Sequence, residues 1–347
     1  MSLRSAQVLA AMVVIIAPFA LWETRMDPTF YARKIMKPFG LTTVDWVLVL
    51  KRWGYHRAQA SFSHPIDLGI GGAICACLLV VLATTSGRRL TTPWVTAGTG
   101  ACAVMTLCSL SFTSFVAVAA IGAIFLAARA TRLMSLLLLP MSVGVIVAYV
   151  MFTAYLVATP TERPETEDAA HSSFYMRHVI VQRTWPDARD AGWFGHGPLW
   201  KVESTGLFSL DNAYLLFIIQ KGWVYFVGFL LLLTAVNIYG GIAVGLVKNG
   251  TARTPVAAGV AGLIGTMLGM YTVFFGFVYA RLFIILLGLT VTMCQHVFER
   301  SRAGAFERQP EAAGPAAPTR RPAPPPRGMV VPMGARPGWA NLKRGGY

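Results

Sequence analysis

Apolar and polar positions fall in long blocks along this chain. Runs of near twenty apolar residues, separated by short polar or basic stretches, mark eight segments: 7–23, 66–85, 94–109, 111–128, 133–157, 212–247, 255–275 and 277–297. About 20 apolar helical residues cross a bilayer core. The pattern therefore predicts an all-α integral membrane protein with about eight transmembrane helices. Almost nothing joins the third segment to the fourth, which predicts a tight hairpin at 109–111. The sixth segment is long for one crossing. A break near Gly222 would divide it into a short first piece and a main helix.

Two long polar stretches remain, at about 24–65 and 158–211. The second opens acidic, in "TPTERPETEDAAH", and then changes character in "SSFYMRHVIVQRTWPDARDAGWFGHGP". That stretch predicts an amphipathic helix near 172–185, followed by a turn at Gly195-His196-Gly197 in which the glycines permit positive φ.

Charge gives the segments a direction. The short loops "SGRRLTTP" (86–93), "RATR" (129–132) and "KNGTART" (248–254) are all basic. Positive charge is retained on the cytoplasmic side. This predicts cytoplasmic N and C termini and places both long loops outside. The run before "WETRMD" lacks a small-residue cleavage site and reads as a membrane helix, not a removable signal.

Composition agrees: hydrophobic residues make up 55% of the chain and charged ones 13%, against about 25% charged in a soluble domain. The net charge of +15 would suit nucleic acid. Its placement in cytoplasmic loops and the tail, with no interleaved aromatics of the kind single-strand binders use, argues for topology instead. The sequence divides into a polytopic membrane domain, 1–298, and a basic Pro-rich cytoplasmic tail, 299–347, with nine Lys/Arg against three Glu. The tail cannot bury enough apolar surface to fold and is expected to be disordered. The first outer loop breaks the charge rule, with Arg25, Arg33, Lys34, Lys37, Lys51, Arg52 and Arg57. These cations face either an anionic partner, such as a lipid phosphate, or outer-leaflet headgroups. The five cysteines lie in apolar segments without metal or disulfide spacing and read as packing thiols.

Several residues could carry chemistry. Arg177 sits in the amphipathic stretch; its structural alternative is an ion pair with Glu165, Glu167 or Asp168. Asp211-Asn212 opens the sixth segment, where Asp and Asn are favoured helix caps and where a carboxylate could also take a proton. With a pKa of about 3.9, Asp is a weak base for a sugar hydroxyl unless burial raises it. Arg281, in "VYARLF", is an intramembrane cation and so a functional candidate, or it snorkels to the interface. His196 reads as a solvent-facing turn residue and His64 as a structural residue where the second segment begins. Trp22, Trp193, Trp200, Trp223 and Tyr214 read as interfacial anchors.

The order of these features resembles the O-antigen ligase and polymerase family of bacterial membrane glycosyltransferases. In that family a loop Arg precedes a helix, a Pro-x-x-Gly-x-Gly turn, a His-Asn or Asp-Asn pair opening the next span, and a Gly about ten residues later. Here Arg177 precedes Gly195 by eighteen residues, and Gly222 follows Asn212 by ten. The stretch "RAQASFSHPIDLG" (57–69) is similar to the family's "R…G-x-F-x-H-P-N". The resemblance covers about 1–300. It implies a GT-C-like ligase fold in the bacterial inner membrane, with the large periplasmic loop ahead of the last three helices. It also implies transfer or polymerisation of undecaprenyl-diphosphate-linked oligosaccharide onto a sugar hydroxyl at the periplasmic face, in exopolysaccharide or O-antigen biosynthesis. Lipid-linked oligosaccharide, membrane lipids and polysaccharide-assembly proteins would be the partners. No metal, nucleotide sugar or other cofactor, and no nucleic acid, would be needed. Arg57, Arg177 and Arg281 would hold the diphosphate, Asp211 would manage the proton, and Asn212, His196 and His64 would support them. Asp in place of the His usual in ligases points toward a polymerase.

Two departures bear on this expectation. The family often places Ser-Arg at the outer tip of a helical hairpin, where this chain has Ser111-Phe112. Family members usually have about twelve spans, so the chain reads as a short form lacking the first four. Both departures favour the rival expectation of a non-catalytic membrane subunit of polysaccharide assembly or export.

Overall fold

The computed structural model describes residues 3–40, 51–62, 64–130, 134–160, 169–201, 207, 210, 212–271 and 277–302. Asp211, the acidic stretch 161–168 with Glu165, Glu167 and Asp168, and the tail beyond 302 lie outside the described residues.

Each apolar block contains a helix among the described residues. In chain order the helices are α1 (Leu3–Arg25), α2 (Pro65–Thr85), α3 (Pro93–Cys108), α4 (Phe112–Ala130), α5 (Met134–Ala158), the amphipathic α6 (Ala169–Asp190), α7 (Ala213–Leu246), α8 (Gly250–Met270) and α9 (Phe277–Arg302). Among the described residues the only sheet is a two-stranded antiparallel ribbon in the first long loop, β1 (Lys51–Arg52) on β2 (Tyr55–His56). Among the described residues five helices are long and apolar enough to cross a membrane: Leu3–Arg25, Pro65–Thr85, Phe112–Ala130, Ala213–Leu246 and Ala280–Arg302. The chain is thus a multi-pass membrane protein. α6 runs beyond the expected 172–185, because Pro186 costs it a backbone hydrogen bond without ending it.

Local chemistry starts and stops these helices. Pro65 and Pro93 occupy first-turn positions, where a missing N–H costs nothing. His64 caps α2, its Nδ1 accepting from the Ile66 amide at 3.2 Å. Asn212 caps α7, its side-chain oxygen accepting from Tyr214 and Leu215 at 3.1 Å each. Between α3 and α4 the chain reverses in three residues, with Leu110 at φ 45.

α2 and α8 are buried along almost their whole length and form the centre. α1 and α3 pack on one side of α2, α4 lies along α8, and α5 and α9 pack against α7. Glycines allow the close approaches that intramembrane packing uses. A Cβ at Gly69 on α2 would run into Ser114 and lie 2.6 Å from the Ser109 hydroxyl, and one at Gly262 on α8 would lie 2.8 Å from Leu286. Large side chains such as Ile15, Met151, Leu231 and Ile284 point outward, as they do on helices that face lipid. All five cysteines are buried and free.

Two charged residues fasten opposite ends of the bundle. At one end the buried Arg253 donates to the carbonyls of Val247, Lys248, Ala128 and Arg129 at 3.0–3.4 Å, joining the end of α4 to the α7–α8 connection. At the other end the fully buried Glu23 accepts three amides. Gln59 and Ala60 donate to one oxygen at 2.9 and 2.7 Å, and Tyr31 donates to the other at 3.0 Å. This carboxylate holds the first long loop onto the end of α1.

Candidate functional site at the tip of the third and fourth helices

The Glu23 end of the bundle gathers most of the candidate residues. Their meeting point is the α3–α4 tip, which α2 supports through Gly69 and through a Ser114 hydroxyl donated to the Ile66 carbonyl at 3.4 Å. The Ala58 amide donates to the Cys108 carbonyl at 3.0 Å, drawing the first loop along α3. That bond brings Arg57 into the protein, where Nε donates to the Ser109 carbonyl at 3.2 Å. Arg52 donates to the next carbonyl, Leu110, at 3.1 Å. Burial pulls the Arg52 guanidinium below its ordinary pKa. Nearby, amide and hydroxyl bonds from Thr29 hold the Asp27 carboxyl below the usual carboxylate range.

Arg177 arrives on a different element. α6 carries it over the same tip, where Nη2 donates to the Thr113 hydroxyl at 2.8 Å. Arg52, Arg57 and Arg177 therefore surround residues 109–113. The side chain at the expected Ser-Arg position, Phe112, is 68% exposed at the crest of this tip. Three arginines on other elements stand around this tip.

Beside Arg177 a narrow cleft is lined by Ile180, Val181, Asn212 and Tyr271. Arg177 and Asn212, far apart in sequence, thus share one small surface. The Asn212 side chain is fully buried and its oxygen is committed to the α7 cap. The adjacent Asp211 lies outside the described residues.

The other candidates stand apart from this cleft. Arg281 is exposed on the second turn of α9 and has no hydrogen bond or ion pair among the described residues. His64 acts as the α2 cap. His196 is exposed, and its ring Nε2 meets the Asp187 carbonyl at 3.0 Å. The expected turn at 195–197 has its two positive-φ glycines, but their work is structural. The His196 and Gly197 amides donate to the carbonyls of Ile219 and Gln220 at 2.7 and 3.1 Å. In return the Trp223 and Val224 amides donate to Gly192 and Trp193, each at 3.2 Å. This exchange occupies the break in α7, where Gly222 has φ 85 and ψ 173.

Tyr214 corrects an expectation. It is no interfacial anchor but a fully buried side chain whose hydroxyl donates to the Met267 carbonyl at 2.8 Å. Glu23, Thr113 and Tyr271 escaped sequence reading altogether. Only Glu23 left a signal, as a lone acid at the end of an apolar run. Among the described residues no three His, Cys, Asp or Glu side chains gather as metal ligands would. Comparison with protein-family models, curated proteins and solved structures finds no match. The resemblance to the O-antigen ligase and polymerase family stands on its residues alone.

Proposed function

We propose that this protein is a metal-independent membrane glycosyltransferase that polymerises undecaprenyl-diphosphate-linked oligosaccharide at the periplasmic face of the bacterial inner membrane. One observation carries the proposal: Arg57 and Arg177 converge on the α3–α4 tip from different loops, and Arg177 shares a cleft with the residue next to Asp211. A leaving diphosphate gathers negative charge as its bond to the sugar breaks. Guanidinium groups pair phosphate oxygens through a planar fork, and fixed cations near a low-dielectric surface stabilise such charge strongly. Eight crossings with cytoplasmic termini would put this end outside.

In the proposed reaction an acceptor sugar hydroxyl attacks the anomeric carbon of the donor. The new glycosidic C–O bond forms as the bond to the diphosphate oxygen breaks. The hydroxyl proton passes to Asp211, and undecaprenyl diphosphate departs with its charge held by Arg177 and Arg57. Asn212 holds the start of α7 in place beside Asp211.

The test is direct. The protein is purified in lipid nanodiscs, supplied with undecaprenyl-diphosphate-linked oligosaccharide, and its products are separated on a gel. Wild-type protein should give a ladder of longer chains, and Arg177→Ala and Asp211→Ala should give none. An unchanged ladder from both folded variants overturns the proposal.

A further inference from the structure

Between residues 24 and 57 the chain carries seven Lys and Arg against two Asp, and the proposed reaction uses only Arg57 of them. Arg25, Arg33, Lys34, Lys37 and Lys51 are exposed and form no ion pair among the described residues. Asp27 lies within electrostatic reach of Arg33 and Lys34. Its Oδ1, however, already accepts the Thr29 amide and hydroxyl at 2.9 and 2.7 Å. The charge on this loop therefore stands largely unspent.

Packing fixes the level of these cations. Past Arg25 the chain reverses and runs back along α1. Phe30 stacks on Phe19 with ring centroids 6.3 Å apart and meets Trp22 at 5.6 Å, and Tyr31 meets Phe19 at 5.4 Å. Phe19 stands six residues before the end of α1, a rise of about 9 Å. Met12, Ile15, Phe19 and Trp22 follow one another at helical spacing, and Met12, Ile15 and Trp22 are exposed, as on a helix face turned to lipid. Residues 30–37 therefore lie where that lipid-facing stripe stops. Arg33, Lys34 and Lys37 stand at the level of lipid headgroups. The β1–β2 hairpin adjoins the same surface, since Arg25 lies over the Tyr55 ring, 4.8 Å from its centroid. The hairpin turns at Trp53-Gly54, with φ 52 and 81. Asn, Asp and Gly normally fill such a turn. Here it holds a large ring 64% exposed.

Cations beside exposed aromatic rings, at the end of a lipid-facing helix, match one occupant. Trp and Tyr favour the headgroup region of a bilayer, and Lys and Arg near its surface attract anionic lipid. An acidic protein would have to displace the lipid that the apolar stripe of α1 requires. We infer that Arg25, Arg33, Lys34, Lys37 and Lys51 form a binding surface for anionic phospholipid headgroups in the leaflet at this end of the bundle. The inference is independent of the proposed glycosyl transfer. Its structural consequence runs through Glu23, which accepts Tyr31 on one oxygen and Gln59 and Ala60 on the other. Lipid held at 33–37 thereby steadies the loop that carries Arg57.

Photocrosslinking of the full chain in phosphatidylcholine nanodiscs tests the surface. Two probes carry a diazirine beside the headgroup, one a phosphatidylglycerol and the other a phosphatidylcholine, and labelled peptides are mapped by mass spectrometry. Peptides covering 25–37 and 51–56 should take the anionic probe about tenfold or more over the zwitterionic one, since each nearby Lys or Arg favours anionic lipid about fivefold. Raising salt from 0.1 to 1 M shortens the screening length from about 10 to about 3 Å and should remove the preference. Arg33→Gln, Lys34→Gln, Lys37→Gln and Lys51→Gln combined should remove it as well, with labelling of the basic loop 86–93 at the other end unchanged. These four side chains have no hydrogen bond or ion pair among the described residues, so the variant should melt with the wild type. Equal labelling by the two probes overturns the surface, as does a preference that survives high salt or persists in the folded variant. Loss of the label when undecaprenyl diphosphate is added in an amount equal to the probe would assign these cations to the carrier lipid and overturn the phospholipid assignment.

Discussion

Gly195 and Gly222 meet backbone to backbone. A Cβ on Gly195 would lie 2.5 Å from the Gln220 carbonyl carbon and 2.6 Å from the Gly222 nitrogen. One on Gly222 would collide with the Trp193 carbonyl and lie 2.5 Å from the Gly195 nitrogen. Both residues also have positive φ, 77 and 85. The turn after α6 is thereby threaded into the break of α7, and each supplies the other with hydrogen-bond partners. The glycine spacing that resembles a glycosyltransferase motif has a mechanical meaning here. It locks the α6 helix that carries Arg177 to the α7 helix whose cap is Asn212.

Gly222→Ala and Gly195→Ala should each destabilise by more than about 2 kcal/mol, because the new methyl meets backbone that cannot yield in a conformation that L residues avoid. Gly197 is the control. It also has positive φ, but a Cβ there meets nothing within 4 Å, so Gly197→Ala should cost only about 1 kcal/mol. Melting temperatures in detergent should therefore fall in the order wild type, Gly197→Ala, then the other two. Equal losses at all three positions would mean that the close approach is not what holds the turn.

The apolar blocks, the hairpin at 109–111, the amphipathic helix and the break at Gly222 were all legible in the sequence, because each is written in local periodicity or in a residue type with one conformational use. What a side chain meets across the bundle is not written locally. Arg177 finds Thr113 across 64 positions, and Glu23 finds the amides of Gln59 and Ala60 across 36 and 37. Tyr214 resembled an interfacial aromatic because it begins a span. Only the packing of α5 and α8 around it shows a buried phenol. The arginine cluster was half legible: Arg57 and Arg177 stood out as cations in the two long loops, but nothing local showed that they share the α3–α4 tip.

The two arginines should separate by what they do to the fold. Arg177 donates to a side-chain hydroxyl at the edge of the cleft, whereas the buried Arg57 donates to the Ser109 backbone carbonyl. Arg177→Ala should lower chain-extension turnover about 100-fold, the size of a lost electrostatic stabiliser in a transition state, with little change in melting temperature. Arg57→Ala should lower turnover and also destabilise by about 1–3 kcal/mol, because it leaves a buried carbonyl without its donor. Single-turnover rates measured beside melting curves check both. A Ser109 carbonyl freed at no cost to stability would place Arg57 outside the packed structure.

Asn212 offers a way to part capping from chemistry at the start of α7. Its side-chain oxygen accepts two amides, and Asp can do the same while Ala cannot. Asn212→Ala should destabilise by about 1–2 kcal/mol and Asn212→Asp by much less. If position 212 only orders the helix, turnover in the two variants should follow stability. A folded Asn212→Asp protein without turnover would show that the amide itself meets substrate.

Glu23 makes the sharpest structural prediction, because its nearest isostere fails for a reason that can be read from its partners. Both carboxylate oxygens accept backbone amides, one from Tyr31 and the other from Gln59 and Ala60. Glutamine keeps the shape but exchanges one oxygen for an NH2 group. Whichever way the amide turns, a donor then faces a donor at a buried site. Removing one partner of a buried hydrogen bond costs about 1–3 kcal/mol, and more where a charged acceptor is lost. Glu23→Gln should therefore cost nearly as much as Glu23→Ala. Hydrogen exchange should show the loss at the amides of Gln59 and Ala60, before any change in the centre of α2 or α8. The same loosening should reach Arg57, which lies two residues from Gln59, so turnover should fall in Glu23→Gln even though Glu23 touches no substrate. Wild-type protection at 59 and 60 in the Gln variant would show that the loop is held from elsewhere, and the coupling between Glu23 and Arg57 would be lost with it.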